Sequence, residues 1–134
     1  MIRTRDAEYL NSVANLPTVY PMVHGSIDGP LDLGPLLTDE NFALQAEGGA
    51  FLFIKQQPGV YEVHTLFPPG RGVLAAAEQA VRFMYINSDC ELITTMVPAS
   101  NAAARRLTEA MGFQFSKRDG EWPTSDGPVP IDHY

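Results

Sequence analysis

Cysteine is almost missing from this chain. Cys90 stands alone, so no internal disulfide can form, and its place just before an apolar strand pattern suits an inert buried thiol. Histidine is sparse too. His24, His64 and His133 lie far apart, without the close spacing that sets two ligands on one helical turn, and the expectation is that the protein binds no metal. No apolar run reaches membrane-spanning length, and the opening MIRTRDAEYL lacks the apolar stretch of a secretory signal, so a soluble, cytoplasmic protein with no membrane partner is expected. Basic residues are outnumbered, 9 against 16 acidic for a formal charge of −7, and no basic run occurs; such a field repels nucleic acid and favours cationic partners. Two familiar phosphate loops are also missing. No Lys followed by Ser or Thr closes a glycine turn, and no three-glycine dinucleotide fingerprint is present.

What is present is enough for one domain, residues 1–134, with a core that needs no disulfides. The chain is organised around Val60 to Met84, VYEVHTLFPPGRGVLAAAEQAVRFM, which reads strand, tight turn, helix. Val60, Glu62, His64 and Leu66 alternate with Tyr61, Val63, Thr65 and Phe67, the period of two of a pleated strand. Pro68 and Pro69 cannot donate to a ladder and end it, and Gly70, Arg71 and Gly72 form a turn whose backbone can approach a ligand closely. Val73, Ala76, Ala77, Ala80, Val81 and Met84 then recur at helical spacing. The first N–H groups of that helix have no partner inside it and carry the positive end of its dipole, so a phosphate or pyrophosphate fits there.

In chain order, a helix is predicted from Asp6 to Leu16, stopped by Pro17, and then a loop to Thr38 with one helical turn near Leu31 to Leu37. Asn41 to Ala46, Ala50 to Lys55 and Val60 to Phe67 read as an antiparallel meander. After the helix, Leu92 to Val97 is a β-rich run, and a helix between two strands predicts a parallel neighbour for the organising strand. A helix capped by Ser100 or Asn101 runs through Ala104, Leu107 and Met111 to Gly112; a strand over Phe113 to Lys117 and a short last strand near Val129 to His133 complete the reading.

The order strand, glycine turn, helix, strand, followed by Asn101, Ala104, Leu107, Gly112 and Phe113, resembles the GNAT-type N-acetyltransferases. The match covers roughly residues 42 to 119, and the spacing Asn-x-x-Ala-x-x-Leu ending in Gly-Phe is specific when joined to the upstream Pro-x-x-Arg-Gly. The VHTLF and RG phrases also resemble small GNAT-like proteins of tailed bacteriophages. The resemblance implies an α/β (α+β) GNAT-like acyl-CoA N-acyltransferase fold, a mixed central sheet with an antiparallel N-terminal meander and a splayed parallel strand pair, flanked by helices. It implies acetyl-CoA as cosubstrate. Leu66 and Phe67 would offer main-chain groups to the pantetheine arm, Arg71, Gly72, Val73, Leu74, Ala75 and Ala76 would wrap the pyrophosphate, and Asn101 would sit beside the arm. Two departures stand out: Leu74 occupies a position where the family has glycine, and Thr108 one where it often has a tyrosine acid.

Amine acetylation needs a base for the ammonium, and Glu62 and His64 share one face of the organising strand, so either could serve. Tyr61, Tyr85 and Tyr134 are the candidate replacement acids. The expected function is acetyl-CoA-dependent N-acetyl transfer to an amine, a cationic one by the acidic balance. The alternative is a GNAT-fold protein without turnover, serving as a binding or structural component such as a phage virion or assembly protein, in the host cytoplasm or the virion. Self-association is left open.

Overall fold

The computed structural model describes residues 1–134 apart from Ser26, Arg71 and Ser125. A first strand, β1 (Ile2–Thr4), was not foreseen; it pairs antiparallel with β2 (Phe42–Ala46). Helix α1 (Ala7–Ala14) starts where the Asp6 carboxylate accepts the Tyr9 N–H at 3.0 Å, so Asp6 is the cap and not part of the first turn. The stretch expected to be loop contains a four-residue helix, α2 (Tyr20–Val23), with Pro21 in its first turn, and a single 3-10 turn at Gly34–Leu36, inside the window expected for one. Asn11 and Asn15 of the first helix hold this segment in place, their side-chain oxygens accepting the Leu33 and Leu31 N–H groups, both at 2.7 Å.

The meander forms as read. Strand β2, β3 (Gly49–Gln57) and β4 (Val60–Leu66) pair antiparallel in that order. Helix α3 (Val73–Asn87) returns the chain so that β5 (Leu92–Thr94) lies parallel to β4, with Val60, Tyr61 and Glu62 opposite Leu92, Ile93 and Thr94. The sheet order is β1-β2-β3-β4-β5, a mixed sheet with one parallel pair.

The strand expected from Leu92 to Val97 is in fact two. It breaks at Thr95, whose N–H and carbonyl both bond to Tyr134, at 3.2 and 3.0 Å. Beyond the break, β6 (Met96–Pro98) belongs to a second sheet of three antiparallel strands, in the order β6-β8-β7, with β7 at Lys117–Trp122 and β8 at Val129–His133. The run LITTMVP carries no glycine, no charge and no proline before its end, so nothing local marks the change of sheet. The strand expected over Phe113 to Lys117 begins only at Lys117, because Phe113 packs on the main core instead. The short last strand is the middle of the second sheet.

Helices α3 and α4 (Ala102–Ala110) cover one face of the large sheet. Phe42, Phe51, Phe53 and Tyr61 meet Ala77, Ala80 and Met84 there, with Leu107 and Met111 against them. On the other face Leu10, Val13 and Ala14 of α1 pack on Ala43, Leu52 and Leu66. The buried hydrophobic residues of the central strands are thus shared between the two layers. Among the described residues no helix is long and apolar enough to cross a membrane.

Candidate active site

Strands β4 and β5 are paired over three residues and then part. Past Glu62, the β5-side edge of β4 has no partner strand among the described residues; the Thr95 hydroxyl bridges the mouth of the gap by donating to the Val63 carbonyl at 3.1 Å. Strand β6 leaves because β8 holds it, and the divergence opens a cleft of about 320 Å³. Its walls come from the end of β4 with Phe67 to Gly70, from the start of α3, from Thr95 to Pro98, and from Asn101 to Thr108 on α4. A volume of this size is that of a small-molecule site.

The start of α3 faces this cleft through Val73 and Leu74. Gly72 caps the helix in the left-handed region, φ 87°, and supplies no side-chain bond. A Cβ at Gly72 would meet nothing within 4 Å, so the backbone conformation, not crowding inside the protein, calls for glycine there. The Ala76 N–H donates to the Gly72 carbonyl at 2.9 Å, which leaves the amides of Gly72, Val73, Leu74 and Ala75 without partners inside the helix. Ala76, expected in the phosphate cradle, therefore has its amide already bonded. Leu74 is 40% exposed, and its side chain lies along the cleft where the family resemblance leads one to expect none. Arg71 lies outside the described residues.

Alternation places Tyr61 and Val63 toward α3 and puts Glu62, His64 and Leu66 on the α1 side of β4. His64 Nε2 is 2.9 Å from Glu62 Oε1. That hydrogen bond, more than the charge of the ring, holds the Glu62 carboxyl below its ordinary value, with His133 adding to the effect, so the group is a carboxylate at neutral pH and can only accept. Against a carboxylate, the proton of the shared bond sits on Nε2. His64 lines the cleft; Glu62 sits behind it.

Asn101 lines the cleft and caps α4, its oxygen accepting the Ala104 N–H at 3.1 Å. Thr108 also lines it, but its hydroxyl donates to the Ala104 carbonyl at 2.8 Å, so its proton is already committed. None of the three tyrosines considered as acids reaches the cleft. Tyr61 is buried in the core, where burial first and its bond to Asp89 second raise its pKa far out of range; burial also raises that of Tyr85, on α3. Tyr134 packs edge-on against Phe115. Cys90 is buried, and burial raises its thiol.

Four positions passed over in the sequence shape the site. Thr95 makes the split. Met22 of α2 and Trp122 of β7 also line the cleft, the indole resting over Gly25. Gly49 makes room where β4 ends: a Cβ there would lie 2.6 Å from the Phe67 ring and 2.7 Å from the Leu66 carbonyl. Of these, only the single tryptophan amid turn residues carried a visible signal.

No family model matches the chain, and no curated protein matches it. Solved structures do. Spermidine N-acetyltransferase from Vibrio cholerae, in complex with CoA and spermine, superposes with a TM-score of 0.71 at 13% identity over 99% of this chain and 91% of that one. A GNAT-family acetyltransferase from Bacillus anthracis gives 0.64 at 18% identity over 97% and 87%. This is the GNAT acetyltransferase fold. The aminoglycoside acetyltransferase AAC(6')-Ib, in complex with coenzyme A, agrees, with a TM-score of 0.65 at 18% identity over 100% of this chain and 92% of that one. The overlap is shorter with a probable acetyltransferase, of which this chain spans 53% at a TM-score of 0.57 and 13% identity. No phage protein is among these GNAT-fold structures, and the likeness to phage-encoded forms rests on the VHTLF and RG phrases alone.

Proposed function

We propose that this chain is an acetyl-CoA-dependent N-acetyltransferase that passes the acetyl group directly to an amine. The observation that carries the reading is the splay of β4 and β5 opening beside the free amide end of α3, with a histidine-carboxylate pair at its edge. The spermidine and aminoglycoside enzymes of the same fold are seen with CoA, which supports that cosubstrate here.

The residues present fit such a ligand. Gly72, Val73, Leu74 and Ala75 offer amides for a pyrophosphate, and the fixed dipole of a 15-residue helix adds to them. The β5-side edge of β4 near Leu66 and Phe67 would offer main-chain groups to an extended arm, as one more strand would; Phe67 and Asn101 line the cleft, whereas the Leu66 side chain is buried against α1. When bound, acetyl-CoA supplies an acyl group activated as a thioester. His64 takes the proton of the incoming ammonium at Nδ1, while Glu62 fixes the tautomer and balances the charge gained by the ring. No tyrosine stands in for the acid missing at Thr108, so water is left to return the proton to the leaving group.

Native mass spectrometry of protein incubated with acetyl-CoA, together with an acetyl-transfer assay on an amine panel, tests this. An equimolar complex and amine-dependent release of CoA are expected. Absence of any CoA binding at millimolar concentration would overturn the reading in favour of the alternative, a GNAT fold kept for a binding or structural role such as that of a phage component.

A further inference from the structure

The small sheet and α2 line a second arm of the cleft, and the chemistry of that lining is one-sided. One face of the small sheet turns Met96, Ile131 and Trp122 toward it, since Met96 and Pro98 stand opposite His133 and Ile131, and Trp122 opposite Val129. Met22 and Val23 of α2 line it too, and the Trp122 ring lies over Gly25, two residues on in the chain. Met96 is 37% exposed, an apolar surface left open inside a concavity. Among the described residues lining the whole cleft there is no Asp, Glu, Lys or Arg, and His64 is the only titratable side chain. Behind the lining, Glu62 is bonded to His64, and Asp132, opposite Val97 on the small sheet, is held by Arg118.

From this lining we infer that the acceptor is a primary amine with a single charge on an apolar, aryl- or branched-alkyl body, and not a polycation. The inference rests on the acetyltransferase reading above. A site with one base and one carboxylate behind it can neutralise one ammonium. Each further cation carried into the arm would be stripped of water with no counter-charge in reach. The arm instead offers an indole and thioether and aliphatic side chains, which an aromatic or branched body can cover. The net charge of −7 draws cations toward the surface in general; it does not place carboxylates in this arm.

Trp122 is the only tryptophan, so its fluorescence reports this wall directly. The probes are 2-phenylethylamine and spermine, titrated at physiological salt to suppress surface attraction. Phenylethylamine should give a saturable change in Trp122 emission, with or without CoA, at roughly tenfold lower concentration than spermine gives any. With acetyl-CoA present, its kcat/KM should exceed that of spermine by roughly tenfold or more. Met22→Glu puts a carboxylate at a half-buried, solvent-touching position, where folding is not at stake, and should narrow or reverse the preference. Tighter binding and faster acetylation of spermine by the unaltered protein would overturn the inference while leaving the acetyltransferase reading intact. Saturable phenylethylamine binding with no CoA binding would do the reverse, and no saturable change in emission with phenylethylamine overturns the inference whatever CoA does.

Discussion

The Tyr61 hydroxyl donates to Asp89 Oδ1 at 2.5 Å, across the start of the parallel pair. Asp89 also accepts the Gly59 N–H and an ion pair from Lys55, so one carboxylate ties the end of α3 to the turn before β4. This bond aligns the paired end of the two strands and leaves the parted end free. Tyr61→Phe keeps the ring in the core and removes the bond. It should lower stability by about 1.5 to 2 kcal/mol, the lower end of the net worth of a bond to a charged group, and leave acetyl transfer nearly unchanged. Urea denaturation and a turnover assay on the same sample check both.

Among the carboxyls held below their ordinary values by hydrogen bonds are Glu62, below 4.5 by His64, and Asp89 and Asp132, below 3.8 by Tyr61 and Arg118. Each binds fewer protons folded than unfolded, so its contribution is complete above the unfolded pKa and is lost as pH falls through the folded one. Stability should be flat from about pH 7 to about pH 5 and drop below about pH 4. Asp132 is buried and takes a forked bond from Arg118 at 2.6 and 3.1 Å. Asp132→Asn should therefore be less stable at neutral pH but lose less on acidification, which a pH series of thermal melts will show.

On the proposed reading, His64 and Glu62 would divide the work of the base unequally. His64→Ala removes the proton acceptor and should lower kcat roughly a hundredfold with little change in CoA affinity. Glu62→Gln leaves a neutral group that can still accept from Nε2 but no longer balances the charged ring, and should lower kcat roughly tenfold. Steady-state kinetics with calorimetric CoA titration separates the two. Equal losses in both variants would instead make Glu62 the base.

At the phosphate end, the expectation turns on backbone and bulk. Val73→Pro removes one amide at the first helical position, where proline suits the helix, and should weaken CoA binding about tenfold, near 1.4 kcal/mol. Leu74→Gly removes the side chain lying along the cleft and should tighten binding several-fold, while costing about 1 kcal/mol of helix stability. Calorimetry with CoA and a thermal melt of each variant are the measurements.

Much of the fold was readable, and for physical reasons. The alternation of Val60 to Leu66, the prolines after it and the apolar stripe of α3 are local signals, and the parallel pairing follows from the handedness of a strand-helix-strand unit. What could not be read depends on distant partners. Ile2–Thr4 is a strand only because the β2 edge is beside it, and Thr95 leaves the sheet only because Tyr134 and β8 draw the following residues away. The site divides the same way. Glu62 and His64 were visible as neighbours on one strand face, but the tautomer needs the bond between them to be seen. Met22 and Trp122 lie far apart in the chain and meet only through the folded loop at Gly25.

The two sheets are joined through one strand interrupted at Thr95, and this orders the making of the protein. A nascent chain elongated only through α4 can already zip the meander, the crossover helix and β5, since those contacts are close in sequence or completed by then. Residues 96–98 have nothing to pair with until β8 emerges, Met96 waiting for His133 and Pro98 for Ile131. The outer wall of the cleft is thus laid down by the last residues of this sequence to leave the ribosome. A product truncated after α4 would keep the large-sheet core and lack the Trp122 and Ile131 side of the cleft.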